Sequence, residues 1–473
     1  MNTTFIENVF LKTMSCSASM SKHGIAAYAR GKATAEPKLE QIRVLMPLPP
    51  VLGLIDDLVS ERLNLFIDGV FSVSSKTWLH EGARPSTQAM DIAHAISLTI
   101  EKGLDMHSAC AVSTCDIQAY YDTVPVIRVA SFLESRGVPA GLCAAAVRHQ
   151  LLPPVAISIG DFAADVDGRT SGSITGSRIA GALARVPVLA TLESLDTFLK
   201  ARGIVLNEGS TLCIMTYVDN IFALGKDLRQ SIEMCTKFEE VLAEQWGLVI
   251  KPDSRECLQP RGASQTPPVG WSLREHLKVL GHVISYDGSC KACIENVEAA
   301  ITSAFWAQLG HIASDKMSDT RRLAVINRCC RGILTYRAAR WTTTKTLIDG
   351  IDGLQRRLVC WALRDRPAPG DDVQAFMMKK ARRAKTLAEQ HGTWSRLVRQ
   401  KQVQWRDHLL RHPDLWAAKL FKHHINQEKL LHMRSTRQGT STAGRTATRI
   451  RGLGHVHRRW HDCVDDAMAF LNS

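Results

Sequence analysis

Asp116 and Asp219 are the residues of this 473-residue chain whose type and setting best suit them to chemistry. Each stands where a short apolar, β-compatible run ends. Asp116 follows Ala109-Cys-Ala-Val-Ser-Thr-Cys, and Asp219 lies where Leu212-Cys-Ile-Met-Thr-Tyr-Val meets Asn220-Ile-Phe-Ala-Leu224. Aspartates delivered from strand ends suit two-metal nucleotidyl transfer, which needs hard oxygen ligands for divalent cations roughly 3.5–4 Å apart. Mg²⁺ takes one or two protein carboxylates and completes its shell with water and substrate phosphates. A plainer reading stands beside this one. An Asp-Asn pair between two apolar runs is an ordinary β-hairpin turn, because both residues tolerate left-handed backbone.

The elements that would hold these residues can be read from apolar spacing. Helices are predicted in 53–63 and in 86–101, the second with Ser86 as N-cap after Pro85. Helical pattern resumes over 125–149, Val155-Ala-Ile-Ser-Ile159 reads as a strand, and a Gly/Ser-rich loop over 168–177 leads into an apolar helix over 179–198. After the hairpin at Asp219, a helix over Leu228 to Trp246 stops at Gly247, and Leu248-Val-Ile250 begins another strand. Residues 277–284, with Asp287-Gly288, read as a second hairpin. From Glu295 the pattern is helical, with tryptophans at 306, 341, 361, 394, 405, 416 and 460 that either stack on bases or fill a helical core. No repeat of fixed period occurs, and 440–454 reads as a loop or disordered segment. The fold class is α+β.

Charge and cysteine usage narrow the partners. The net charge of +13 is concentrated in 374–473, where 20 Lys and Arg face 7 Asp and Glu. A basic region of this kind favours RNA or DNA through phosphate neutralisation, although a basic helical surface needs no partner. No uncharged apolar stretch reaches the length of a membrane span. Thirteen scattered cysteines with one CxxC, Cys290-Lys-Ala-Cys293, point to reduced intracellular thiols and give little support for zinc. The first 32 residues carry four basic residues against Glu7 and read as a truncated or irregular start of the first domain, with a weak transit-peptide character as the alternative.

Several segments, in order, resemble the reverse transcriptases of non-LTR (LINE-like) retrotransposons. Asp116-Ile-Gln-Ala-Tyr-Tyr-Asp-Thr-Val124 is similar to that family's Asp-Ile-x-x-Ala-Phe-Asp-x-Val, and Tyr217-Val-Asp-Asn220 resembles its YxDD hairpin. Gly172-Ser-Ile-Thr-Gly-Ser-Arg-Ile-Ala180 resembles the Gly-x-x-Gln-Gly loop, and Gly247 to Glu256 resembles Gly-Leu-x-Ile-Asn-x-x-Lys-Thr-Glu. Val279 to Gly288 looks like the Leu-Gly hairpin that grips the primer, and Gly82 to Asp91 looks like the Gly-Phe-Arg-Pro-Gly segment.

The resemblance implies a right-hand polymerase: fingers and a palm with an antiparallel sheet over 36–290 and a helical thumb over 291–373. A basic nucleic-acid-binding extension would occupy 374–473, with an irregular or truncated segment over 1–35. It implies RNA-directed DNA polymerase activity on an RNA template, a DNA primer or target, and dNTPs, at an intracellular, nuclear site. Asp116 and Asp219 would bind Mg²⁺ or Mn²⁺, with Asn220 in the place of a third carboxylate. Tyr121 would be the steric gate beneath the sugar, and Gly176 would admit the template–nucleotide pair. Arg43 and Arg84 would contact the triphosphate. Four positions depart from the family pattern. Asn220 removes a negative charge, Tyr120 in place of a small alanine would crowd the sugar pocket, Thr175 replaces glutamine, and Ser254 replaces the lysine that could protonate pyrophosphate, leaving Lys251 upstream as the nearest one. The alternative implied by these departures is an inactive remnant that binds nucleic acid without polymerising.

Overall fold

The structure, a computed structural model, describes residues 25–31, 42–45, 48, 50–71, 80–81, 87–106, 110–153, 155–159, 162–166, 168–206, 210–308, 312, 317–363, 365–423 and 459–472. The segment read as a loop over 440–454 and the motif residues 82–86 lie outside them. Strands β1 (Ile25–Gly31) and β2 (Ile42–Leu45) precede the long helix α1 (Pro50–Val70). A short strand β3 (His80–Glu81) is followed by α2 (Ala89–Met106). That helix starts at Ala89, two residues later than Ser86 capping would give. The buried Asp91 carboxylate accepts from the Gln88 N–H (3.0 Å) and satisfies one open donor of the first turn.

Strand β4 (Ala111–Asp116) leads into the one-turn helix α3 (Tyr120–Thr123) and then α4 (Val126–Ser135) and α5 (Ala140–Leu151). The single helical run read over 125–149 is thus two helices, broken where Gly137 takes φ 88°. Strands β5 (Val155–Ile159) and β6 (Phe162–Val166) form a hairpin. Next come α6 (Arg178–Ser194) and α7 (Asp196–Arg202), the short pair β7 (Ile204–Val205) and β8 (Thr211–Leu212), and the hairpin β9 (Ile214–Tyr217) and β10 (Asn220–Gly225). Helix α8 (Leu228–Trp246) is capped by the Asp227 carboxylate on the Gln230 N–H (2.8 Å). It ends at Gly247 in left-handed backbone (φ 69°), as its sequence predicts.

Two sheets organise the first half of the chain. One has the order β2-β1-β5-β6. The other, with β11 (Glu256–Leu258) and β12 (Ser272–Leu273), has the order β12-β11-β4-β10-β9-β3. Its four central strands are antiparallel, as expected, while both edge strands, β12 and β3, join in parallel. A separate hairpin is formed by β13 (His276–Val279) and β14 (His282–Ser285). The helices α9 (Lys291–Ala307), α10 (Asp319–Ala338), α11 (Lys345–Ala362), α12 (Val373–Gln390), α13 (Trp394–Arg411) and α14 (Trp460–Asn472) complete the described chain.

One large core joins α1, α2, the second sheet and α4 to α8, and a second core lies among α9 to α13. Residues beyond 374 pack into both cores. Trp394 fills the second core, whereas Trp405, Trp416 and Trp460 fill the first. Trp405 Nε1 donates to His94 Nδ1 of α2 (2.8 Å), and the Trp460 N–H donates to the Glu101 carboxylate (3.3 Å). These four tryptophans are core residues, not an exposed stacking surface. Among the described residues no helix is long and apolar enough to cross a membrane, and every cysteine is a free thiol.

Candidate active site

Register brings the two aspartates together. Strands β4 and β10 pair antiparallel from Gly225↔Ala111 to Asn220↔Asp116. Tyr217↔Asn220 closes the β9–β10 hairpin, so its turn residues are Val218 and Asp219. The turn therefore falls one residue earlier than the Asp-Asn reading gives, because Asn220 is already a strand residue engaged in both ladders. Asp219 stands next to the residue opposite Asp116, and its carbonyl accepts the Ile117 N–H at 2.9 Å. Val218 occupies the left-handed region at φ 57°, which is costly for a β-branched side chain. Asn220 Nδ2 donates to Asp219 Oδ1 at 2.8 Å, so the amide holds one oxygen of the neighbouring carboxylate.

The far side of β4 is held by residues 249–254. Gln118 N–H donates to the Val249 carbonyl and Lys251 N–H to the Asp116 carbonyl, both at 2.9 Å. Ser254 Oγ accepts the Asp116 N–H at 2.9 Å and donates to the Lys251 carbonyl at 2.6 Å. The Lys251 ammonium is largely exposed and lies 3.8 Å from the Asp253 carboxylate.

The adjacent tyrosines of α3 part company. Ala119 turns the chain into α3 from left-handed backbone (φ 46°). Tyr120 is buried beneath α6, and its hydroxyl donates to the Ala184 carbonyl. The expectation that Tyr120 crowds a sugar pocket is overturned, since its ring is a core element with a satisfied hydroxyl. Tyr121 is half-buried on the aspartate side. Burial, then the Asp219 carboxylate and the Tyr217 phenol, push its hydroxyl above the ordinary tyrosine range.

The loop before α6 is laced to this turn. Gly172 N–H donates to the Val124 carbonyl (3.0 Å), and Ser173 bonds the Tyr121 carbonyl through its N–H (2.7 Å) and its hydroxyl (3.2 Å). Gly172 sits at φ 77°, and a Cβ there would fall 2.7 Å from the Asp122 carbonyl oxygen, so only glycine fits. Gly176, at φ 103°, is exposed, and Thr175 beside it is half-buried. Behind the loop lies a buried polar network that the sequence reading missed. The Asp56 carboxylate of α1 accepts from the Ser177 hydroxyl and from the Arg178 and Ile179 N–H groups at the start of α6. Gln150 donates to Ser177 Oγ (2.8 Å) and accepts the Ile174 N–H (2.8 Å). His149 Nδ1 lies 3.8 Å from Asp56; burial lowers its pKa against the pull of that carboxylate. A signal was present in the sequence: Asp56 shares a helix face with Val59, Leu63 and Ile67, and a carboxylate on an apolar stripe calls for a partner.

Not every candidate is gathered here. Arg43 belongs to β2 in the other sheet, where it pairs with Arg30, and its side chain lies outside the described residues, as does Arg84 altogether. The donor set at the strand ends is two carboxylates and an amide oxygen. Hard oxygen donors in that number suit Mg²⁺ or Mn²⁺ that keeps substrate ligands. Among the described residues no group of three or more His, Cys, Asp and Glu could hold a metal. The CxxC sulfurs accept instead: Cys293 from Trp341 Nε1 (3.3 Å) and Arg340 (3.4 Å), and Cys290 from the Thr342 N–H (3.2 Å).

The β13–β14 hairpin has its own supports. Its turn, Leu280-Gly281, is left-handed at both residues (φ 48° and 86°), and Tyr336 of α10 donates its hydroxyl to the Leu280 carbonyl at 3.0 Å. His282 is fully buried, stacked on Tyr336, and accepts from Arg340 Nε at 3.3 Å. Burial, then Arg340, Arg337 and His94, pull its pKa down to about 2.

No protein-family model and no curated protein sequence matches the chain. Among solved structures, the chain is similar to telomerase from Candida albicans in complex with a TWJ fragment of telomeric RNA, at 10% identity and a TM-score of 0.39, covering 82% of this chain and 62% of that one. It is similar to telomerase from Candida tropicalis in complex with a TWJ fragment at 8% identity and a TM-score of 0.41, covering 83% and 64%. It is also similar to apo telomerase from Candida tropicalis at 9% identity and a TM-score of 0.39, covering 84% and 68%. The chain thus spans 62% of the length of the first of these.

Proposed function

We propose that the chain is an RNA-directed DNA polymerase of the non-LTR retrotransposon kind, acting in the nucleus on an RNA template with a DNA primer or target. The observation that carries this reading is the β4–β10 register, which sets Asp116 opposite Asn220 and one residue from Asp219. In the reaction the primer 3′-hydroxyl attacks the α-phosphate of a dNTP and pyrophosphate leaves. Asp116 and Asp219 would hold Mg²⁺ or Mn²⁺, which would supply positive charge to stabilise the negative charge that develops in the transfer. Tyr121 lies beneath the incoming sugar and discriminates against a 2′-hydroxyl, Gly176 leaves room above the base pair, and Arg43 and Arg84 take the triphosphate. Lys251, the nearest lysine in sequence to Ser254, takes the place of the displaced motif lysine. The regions 36–290, 291–373 and 374–473 act as fingers and palm, thumb, and basic nucleic-acid surface.

A second reading, a nucleic-acid-binding protein without turnover, is favoured by one contact. Asn220 contributes no charge and ties up an oxygen of Asp219. Primer extension on an RNA template separates the two. The wild-type chain is expected to extend with Mg²⁺ or Mn²⁺, Asp116→Ala to abolish extension, and Asn220→Asp to raise it several-fold. A wild-type chain inert with both metals, but active as Asn220→Asp, establishes the second reading; inertness of both defeats the polymerase proposal.

A further inference from the structure

We propose that Ser254 is a positioning residue for Asp116, built into this chain in place of a strand, and not a lost lysine. The inference rests on the reading of Asp116 as a metal ligand. Strand β11 pairs with β4 only as far as Glu256↔Thr114, two residues short of the aspartate. Pairing stops there because the chain turns through the 3₁₀ segment Pro252–Ser254, whose proline has no N–H to give. Asp116 would then end β4 with its N–H unpaired on that edge, at the residue whose carboxylate direction matters most.

The Ser254 hydroxyl replaces the missing carbonyl. It accepts the Asp116 N–H (2.9 Å) and donates its own O–H to the Lys251 carbonyl (2.6 Å). Lys251 N–H returns to the Asp116 carbonyl (2.9 Å), so both polar groups of the Asp116 main chain are bonded to one turn. On the opposite edge the Ile117 N–H reaches Asp219. The aspartate is thus clamped between hairpin and turn, which fixes the carboxylate it projects. The geometry requires a side chain that accepts and donates one bond beyond Cβ, which serine and threonine do. Lysine donates only. The residue that the family resemblance calls for at 254 would therefore leave the Asp116 N–H without its acceptor in this chain.

The test is Mn²⁺ binding to the full chain without nucleotide, followed by electron paramagnetic resonance of the free ion, with thermal melting and primer extension alongside. Asp116→Ala sets the background. Ser254→Ala is expected to bind Mn²⁺ about tenfold more weakly than wild type, with a parallel rise in the metal needed for half-maximal extension and little change in Tm. Ser254→Thr should restore wild-type binding, and Ser254→Lys should behave like Ser254→Ala. Wild-type affinity in Ser254→Ala, or tighter binding in Ser254→Lys, overturns the proposal and leaves the metal site standing. Wild-type binding no stronger than Asp116→Ala removes the metal site and this role together.

Discussion

Two hairpins of this molecule solve the same steric problem in different ways. Both close with two-residue turns, and both put a bulky side chain in the left-handed region, Val218 at φ 57° and Leu280 at φ 48°. Tight hairpins need positive φ at the first turn position to match strand twist, and glycine, asparagine or aspartate normally supplies it. The β9–β10 turn is braced by main chain, through the Ile117 N–H on the Asp219 carbonyl. The β13–β14 turn is braced by a side chain, the Tyr336 hydroxyl on the Leu280 carbonyl, from a helix 56 residues further on. The first brace belongs to the sheet and cannot be mutated away, whereas the second hangs on one phenol. The turn that carries Asp219 is thus held by main chain, and the turn beside the helical region by one side chain.

The largest effect expected from breaking this pair is at the first turn. Asp219→Ala should lower primer extension by roughly a thousandfold or more through loss of metal-assisted charge stabilisation, with Tm nearly unchanged. Comparable activity in that variant would remove the hairpin from the chemistry. Tyr336→Phe, which deletes only the second brace, is expected to cost roughly three- to tenfold in extension, as one hydrogen bond would. The loss should appear as weaker primer–template binding, with the KM for dNTP unmoved.

Acid should separate the hairpins next. The folded-state pKa of His282, about 2, lies below its ordinary value of 6.5, so the folded protein binds fewer protons than the unfolded chain between those values. Its contribution to stability is complete above pH 6.5 and drains away as pH falls toward 2. Amide exchange over 276–285 should then quicken relative to 214–225 as pH drops from 7 to 5, since the first hairpin contains no histidine. Equal quickening of both would show that His282 does not govern it. The smallest effect concerns the strained corners. Val218→Gly and Leu280→Gly each relieve about 1–2 kcal/mol of left-handed backbone cost and lose part of it to unfolded-state entropy. A net gain of up to about 1 kcal/mol is expected from chemical denaturation, with activity lower only for Val218→Gly.

Strand ends were the legible part of this site. Asp116 and Asp219 could be picked out because apolar runs stop at them, and the end of helix α8 could be placed by Gly247. The turn register was misjudged by one residue because Asp-Asn is a good turn pair locally. Pairing of Asn220 with both Asp116 and Tyr217, a non-local fact, overrides that preference. Tyr120 was misread for the same reason: its neighbour in sequence faces the aspartates, but α6 passes over its own side. Asp56 and Ser254 act through partners 121 and 138 residues away; the apolar stripe around Asp56 calls for a partner, but no local pattern says which one.

The docking of Trp405 and Trp460 onto α2 carries a consequence for how the chain is made. Their bonds to His94 and Glu101 span 311 and 359 residues of sequence. At about 5–20 residues per second of synthesis, the ribosome needs roughly 20–70 s after making α2 before Trp460 exists to cover it. Over that interval the first core stands open, with His94 and its apolar neighbours facing solvent or a chaperone. A stall between residues 116 and 460 would leave a nascent chain whose β4 is already translated but whose wall is missing.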